Sequence, residues 1–433
     1  MSPVRAAPDD FLWGVATSAF QIEGSPSADW AAWDPETGLR PRMTGHYERF
    51  REDVALLREL GVNAYRFSLE WSRIQPAEGR WDEGALDHYR ALVDELAAAG
   101  IEPVVTLHHF SSPGWLHEAA PWTGDAAAGR FAAFAARAAE ALPGVRLWVT
   151  FNEPMVMLLG GFLDGCTPPG LKSPAALMAA LRSVIAAHAR AAAVLRSRIP
   201  GARVGIAQNM AVFAPHRPWH PLDRLLARLG RHGFNRALLE ALTAGRTRLA
   251  LPFSRAVTIE GPARDTLDFI GVNYYQRLHT RFRLARGGGH PLEVLHRDRS
   301  RCGLTDMGWE EYPRGLPVVL REAAAFGLPL VITENGIASG DDARKISFIS
   351  RHIEEVDACR RGGLDVRGYF YWSLTDTYEW LHGYRRRFGL YRVDWETLAR
   401  TPTAAARWYA RLLRTRGVRS LRVGPGSLPL TVI

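Results

Sequence analysis

The sequence predicts an α/β protein, one closed barrel of eight parallel β-strands inside a ring of helices. Three observations carry this expectation. Short, near-continuously apolar runs alternate eight times with longer amphipathic stretches rich in Ala, Leu and Arg, and strand–helix alternation of that length closes a parallel sheet on itself. The phosphate-binding turns that an open doubly wound sheet normally keeps near its first strand, GxGxxG and the P-loop pattern, are absent. The longest irregular stretches, 25–45 and 281–303, both follow strand carboxyl ends, where a barrel builds its mouth. The expected architecture is therefore a (β/α)8 TIM barrel with long βα loops, residues 1–433 forming a single domain.

The first strand is FLWGVATSA, beginning at Phe11. ERFREDVALLRELG follows with helical spacing and ends on Gly61, placed to cap a helix C-terminus. AYRFSLEW is the second strand, ALDHYRALVDELAAAG its helix, ending on Gly100. EPVVTLHHF is the third, and GRFAAFAARAAEALPG, ending on Gly144, leads to the fourth, LWVTFNE. The long AALMAALRSVIAAHARAAAVL stretch precedes RVGIAQNM, and FIGVNYY, LVITENG and RGYFYWSL complete the set. Strands apolar on both faces read as covered on both faces.

An apolar fraction of 47% and a charged fraction of 23% are ordinary for a globular protein with a sizeable core. The net charge of +9 invites a nucleic-acid reading. Against it, the only lysines are Lys172 and Lys345, the arginines are scattered over the whole length, and the one dense cluster, Arg385-Arg386-Arg387, lies among aromatic and acidic residues. An Ala/Arg-biased composition explains the charge, and no nucleic-acid partner is expected. Cys166, Cys302 and Cys359 are far apart and form no CxxC pair, so free thiols are expected rather than a disulfide framework or zinc site. MSPVRAAPDD runs into the first strand without the apolar core of a signal peptide. The most apolar long stretch carries Arg182, His188 and Arg190 and reads as a core helix. A cytoplasmic protein with no membrane partner is expected.

Polar residues at strand carboxyl ends converge on one cavity in a barrel. Here those ends carry Gln21, Glu23, Arg66, Glu70, His108, His109, Asn152, Glu153, Asn209, Asn273, Tyr275, Glu334, Asn335 and Trp372, with Asp376, Glu379 and Trp380 just beyond the last. Either Glu153 in TFNEP or Glu334 in ITENG would alone read as a surface charge. Together they repeat one plan, an apolar strand, a threonine, then a carboxylate beside an asparagine. Two such carboxylates suit acid–base and nucleophilic work, one held protonated and one ionised. Trp, Gln, Asn and His around them suit a sugar ring, with its apolar C–H face and its paired hydroxyls. That combination describes a glycoside hydrolase.

In order along nearly the whole chain, FLWGVATSAFQIEG, HYERFREDVALLRELGVNAYRFSLEWSRIQP, TLHHFSSPGWL, TFNEP, DFIGVNYY, ITENG and GYFYWSLTDTYEWLHGYRRRFGLYRVD resemble the motifs of family 1 of the glycoside hydrolases, the β-glucosidase/β-galactosidase family. The resemblance implies a retaining exo-β-glycosidase, most simply a β-glucosidase with some β-galactosidase or β-fucosidase activity. Glu334 would be its nucleophile and Glu153 its acid/base. It further implies that Asn152 holds the sugar 2-hydroxyl, that Gln21, His109, Glu379 and Trp380 bind the other hydroxyls, and that Trp372 lies under the ring. Arg66 and Tyr275 would keep Glu334 ionised, its negative charge would raise the pKa of Glu153, and Asn273 would support the group. Strand alternation points only one of His108 and His109 inward, and the motif selects His109.

No cofactor and no metal are implied; the partner is a small-molecule β-glycoside or oligosaccharide. Phe110 replaces a tryptophan common in the family, and GGFLDGCTPPG (160–170) replaces a run ending in APG. Both changes bear on the rim. Trp30 and Trp33 are placed on the aglycone side. Phe388 and Glu379 stand where a subgroup active on 6-phosphosugars has tyrosine and serine, and a carboxylate at 379 would repel a 6-phosphate, although Arg386 keeps positive charge nearby. The alternatives are a 6-phospho-β-glycosidase, a transglycosylase, and a dead carbohydrate-binding protein, which would need neither Glu153 nor Glu334.

Overall fold

A computed structural model of the chain describes residues 11–34, 36–39, 42–119, 121–251, 255–261, 266–283, 292–295 and 303–416. Eight strands form the barrel: β1 (Leu12–Ala16), β2 (Ala64–Ser68), β3 (Glu102–His108), β4 (Leu147–Asn152), β5 (Arg203–Asn209), β6 (Phe269–Asn273), β7 (Leu330–Asn335) and β8 (Val366–Trp372). All pair in parallel with their neighbours in sequence, and β8 returns to β1 to close the ring. Seven lie within the runs named from sequence, and β8 begins one residue before its run, at Val366. Cys302 and most of the 281–303 stretch lie outside the described residues.

The principal helices between strands are α1 (His46–Leu60), α2 (Glu83–Ala98), α3 (Ala126–Ala141), α4 (Pro174–Arg198), α5 (Ala237–Ala244), α6 (Leu316–Ala324), α7 (Asp342–Arg361) and α8 (Ala404–Thr415). Their limits follow local chemistry. Gly61 takes a left-handed conformation (φ 74°) and donates its N–H to Leu57 and Arg58 carbonyls, closing α1. Ser173 accepts from the Ala176 N–H, and Pro174 occupies the first helical position of α4. Gly144 does not cap α3 as expected. The helix stops at Ala141 ahead of Pro143, which disfavours helical geometry in the residue before it, and Gly144 only turns the chain toward β4. The 25–45 stretch is also less irregular than expected, holding the short helices Asp29–Trp33 and Glu36–Leu39.

Two apolar layers hold the barrel. Inside it, Ala16, Ala64, Val104, Val149, Ala207, Phe269 and Phe370 fill the lumen below the mouth. Outside, strand residues such as Trp148 and Phe151 pack on Phe131, Phe134 and Leu181 of the helices. Helix α4 is long and apolar enough to cross a bilayer, but 61% of its most apolar window is buried inside the protein. His188 from that helix meets Thr150 Oγ1 of β4 at 2.6 Å, fixing the helix to the strand.

The lumen is filled tightly enough to need glycine at 205, where an added Cβ would stand 2.5 Å from the Phe269 ring. Gly205→Ala is therefore expected to destabilise by about 1–3 kcal/mol in chemical denaturation, through overpacking. Gly144→Ala, with nothing within 4 Å of the new methyl, should lie within about 0.5 kcal/mol of the parent.

Candidate active site

The ladder is irregular where the two carboxylates emerge. Register shifts occur between Val149 and Asn152 on the β4–β5 pairing, and between Ile332 and Glu334 on β7–β6. Such irregularities re-aim a side chain at a barrel rim. Glu153 then adopts a left-handed backbone (φ 46°, ψ 52°), its N–H bonded to Ala207 O at 2.7 Å, and Pro154 begins the short helix Pro154–Leu158. A non-glycine residue in that conformation costs on the order of 1–3 kcal/mol and persists where its surroundings hold it. After Glu334, glycine is required: a Cβ at Gly336 would stand 2.0 Å from the Trp372 carbonyl oxygen.

Glu153 and Glu334 line one cavity of about 420 Å³ together with Gln21, His109, Asn152, Tyr275, Trp372, Glu379 and Trp380. That volume falls in the usual range for small-molecule sites, roughly 300–1,000 Å³. Arg66 and Asn273 lie behind this surface and tie it together. Arg66 donates to Glu334 at 2.5 Å and to Asn152 Oδ1 at 2.7 Å, while Asn273 Nδ2 donates to Asn152 Oδ1 at 3.0 Å and to Glu153 at 2.7 Å. Tyr275 Oη donates to the other oxygen of Glu334 at 2.6 Å.

This network fixes proton positions. Asn152 Oδ1 accepts from two donors, so its Nδ2 is the donor toward His109 Nε2, 3.0 Å away. His109 Nε2 must then accept, which leaves the proton on Nδ1. That Nδ1 has no protein partner, and neither has Gln21 Oε1, whose amide nitrogen is bonded to Tyr378 O at 2.6 Å. One unpaired donor and one unpaired acceptor thus border the cavity. Burial first, then the Arg66 charge, holds the His109 imidazole neutral, far below its usual pKa.

Burial is the leading cause of the Glu153 shift, pushing its pKa up to about 7, with the Glu334 charge second. The sequence reading gave that role to the neighbouring charge alone. Burial also raises Glu334, opposed by the Arg66 charge and the Tyr275 hydrogen bond. Glu379 is pushed up to about 8 by burial, against hydrogen bonds from Thr377 and Trp372. That shift weakens, without removing, the electrostatic repulsion of a 6-phosphate expected from a carboxylate at this position. A different observation bears on that substrate, for no Arg or Lys is found among the described residues that line the cavity.

Other strand-end residues turn away. His108 packs outward against Trp122 and Phe151 and meets Ser112 Oγ at 3.0 Å. Glu23 accepts from Tyr89, Glu70 from Ser72 and Ser111, Asn335 from Tyr369, and Asp376 from the Gly389 N–H. Trp30 does line the cavity, but packed on Trp380 (ring centroids 4.7 Å apart), beside the sugar-facing residues rather than opposite them. Trp33 is not part of the lining and is 38% exposed. Phe234, Met307 and Trp309 line the cavity without having been singled out. They sit in βα connections with no motif or periodicity to mark them.

The sequence of residues 4–418 matches the model of glycosyl hydrolase family 1. The chain belongs to that family. As a family 1 member it is a glycosidase. It is 33% identical to "Beta-glucosidase A" of Thermotoga maritima over 96% of this chain and 99% of the relative. Among solved structures it resembles a beta-glycosidase from Pyrococcus horikoshii (TM-score 0.87, 37% identity, 95% of each chain). It also resembles a beta-glucosidase from Thermotoga maritima in complex with glucoimidazole (TM-score 0.84, 31% identity, 95% of this chain and 100% of that one).

Proposed function

We propose that this family 1 glycosidase is a retaining exo-β-glucosidase acting on small-molecule β-glycosides, with Glu334 as nucleophile and Glu153 as acid/base. The observation that carries the reading is the unequal treatment of two carboxylates in one cavity. Glu334 is gripped by Arg66 and Tyr275, which favour its anion. Glu153 has only neutral amides for partners and the Glu334 charge nearby, so it keeps its proton up to about pH 7.

In the first step a Glu334 oxygen bonds to the anomeric carbon as the glycosidic C–O bond breaks. The departing oxygen takes the Glu153 proton and leaves as an alcohol. In the second, Glu153, now a carboxylate, removes a proton from water, whose oxygen displaces Glu334. Two inversions retain the configuration. Asn152, held by Arg66 and Asn273, is positioned for the 2-hydroxyl, where contacts strengthen in the transition state. Gln21 Oε1, His109 Nδ1 and the Glu379 carboxyl offer an acceptor, a donor and a further polar group to the remaining hydroxyls, over the Trp372 and Trp380 rings.

A panel of 4-nitrophenyl glycosides tests this. Hydrolysis of the β-glucoside is expected, with weaker action on the β-galactoside and β-fucoside and none on the α-glucoside or on β-glucoside 6-phosphate. The kcat/KM should fall as pH rises through about 7, since Glu153 is then losing the proton it must donate. A preference for the 6-phosphate, or no cleavage of any β-glycoside, would count against the proposal.

A further inference from the structure

The two halves of the cavity differ in chemistry, and the difference follows the strand order. Gln21 follows β1, and Trp372, Glu379 and Trp380 belong to or follow β8. In the closed ring, β4 stands opposite β8 and β5 opposite β1. The wall beyond β4, β5 and β6 is made by Met157, Leu159, Phe234, Leu278, Met307 and Trp309. Glu153 stands at the start of this wall, so a group that receives its proton departs along it. Polar groups there are few. Asn209 is bonded to Glu153, Gln276 Oε1 is an acceptor without a partner, and Asp164 and Thr167 come from the 160–168 segment. A second sugar brings several hydroxyls that each need a partner when dehydrated, more than the few polar groups among the described residues of this wall supply.

We infer that the leaving-group side is built for an apolar aglycone, an alkyl or carbocyclic alcohol, rather than for a second sugar. This rests on the β-glucosidase reading above. An apolar chain laid along Met157, Phe234, Leu278 and Met307 gains by leaving water without stranding polar groups. Methionines at two of these positions add a surface that adapts to irregular shapes.

The test is a homologous series of methyl, butyl, hexyl and octyl β-D-glucosides, with cellobiose and 4-nitrophenyl β-D-glucoside alongside. Leaving-group acidity is nearly constant along the alkyl series, so any trend reports contact with the wall. From butyl to octyl, kcat/KM is expected to rise about tenfold or more, part of what full burial of four methylenes would give. Octyl glucoside should also exceed cellobiose. Leu278→Asn and Met307→Gln should each lower the octyl-to-butyl ratio by about threefold or more. A flat series, a preference for cellobiose, or an unmoved ratio in both variants overturns the inference. Cleavage of methyl and nitrophenyl glucosides would in that case leave the glucosidase reading standing. No cleavage of any glucoside overturns both.

Discussion

Glu334→Ala is expected to lose hydrolysis of every β-glycoside, activated or not, by roughly 10⁵-fold or more, since no other group can form the covalent intermediate. The measurement is kcat/KM on 2,4-dinitrophenyl and 4-nitrophenyl β-glucosides. Good leaving groups should rescue nothing, because the missing partner is the one that attacks carbon. A structural side effect must be separated from this chemical one. Arg66 is fully buried, and its ion pair with Glu334 would be removed. Leaving a buried charge unpaired costs about 3–5 kcal/mol, so the alanine variant should also unfold earlier. Glu334→Gln keeps an oxygen for Arg66 and should be equally inactive while losing less stability. Substantial turnover in a folded Glu334→Gln protein would remove Glu334 from the role of nucleophile.

The same pair shows what sequence could and could not disclose. Strand identity was legible because buried parallel strands are short apolar runs, and LWVTFNE and LVITENG are such runs with carboxylates at their ends. Both carboxylates do line one cavity. His109 could be chosen over His108 only by motif, and the reason is now visible. His108 ends β3 with its ring in the outer aromatic layer, whereas His109 lies one residue beyond and meets Asn152. Glu23 and Glu70 read as cavity residues but serve hydrogen-bond networks with Tyr89 and serine hydroxyls, a distinction that position along a strand cannot make. Gly144 misled for a local reason, since Pro143 had already ended the helix. The apolar wall was illegible altogether. Phe234 reaches it from the β5–β6 connection and Leu278 and Met307 from distant parts of the β6–β7 connection, and no periodicity joins residues that only the fold brings together.

Glu153→Ala is expected to divide substrates by leaving group. Methyl and octyl glucosides, whose alkoxides cannot depart unprotonated, should slow by about 10²–10⁴-fold, the usual worth of a positioned acid. A 2,4-dinitrophenyl glucoside needs no proton to leave, so its first step should proceed at near the parent rate. The second step then lacks its base, and a burst of dinitrophenol should precede slow turnover. Azide attacks without a base, so adding it should raise steady-state turnover and give the β-glycosyl azide, since two displacements at the anomeric carbon retain configuration. In Glu334→Ala the single displacement left to azide would give the α-azide instead. The fall in kcat/KM near pH 7 should also vanish in Glu153→Ala, because the group that titrates there is gone. Folding should change little. Asn273 keeps its bond to Asn152 when Glu153 is truncated, and alanine carries the same left-handed backbone cost as glutamate. A Glu153→Ala protein that slows all substrates alike, or that retains the parent pH profile, would place the acid elsewhere.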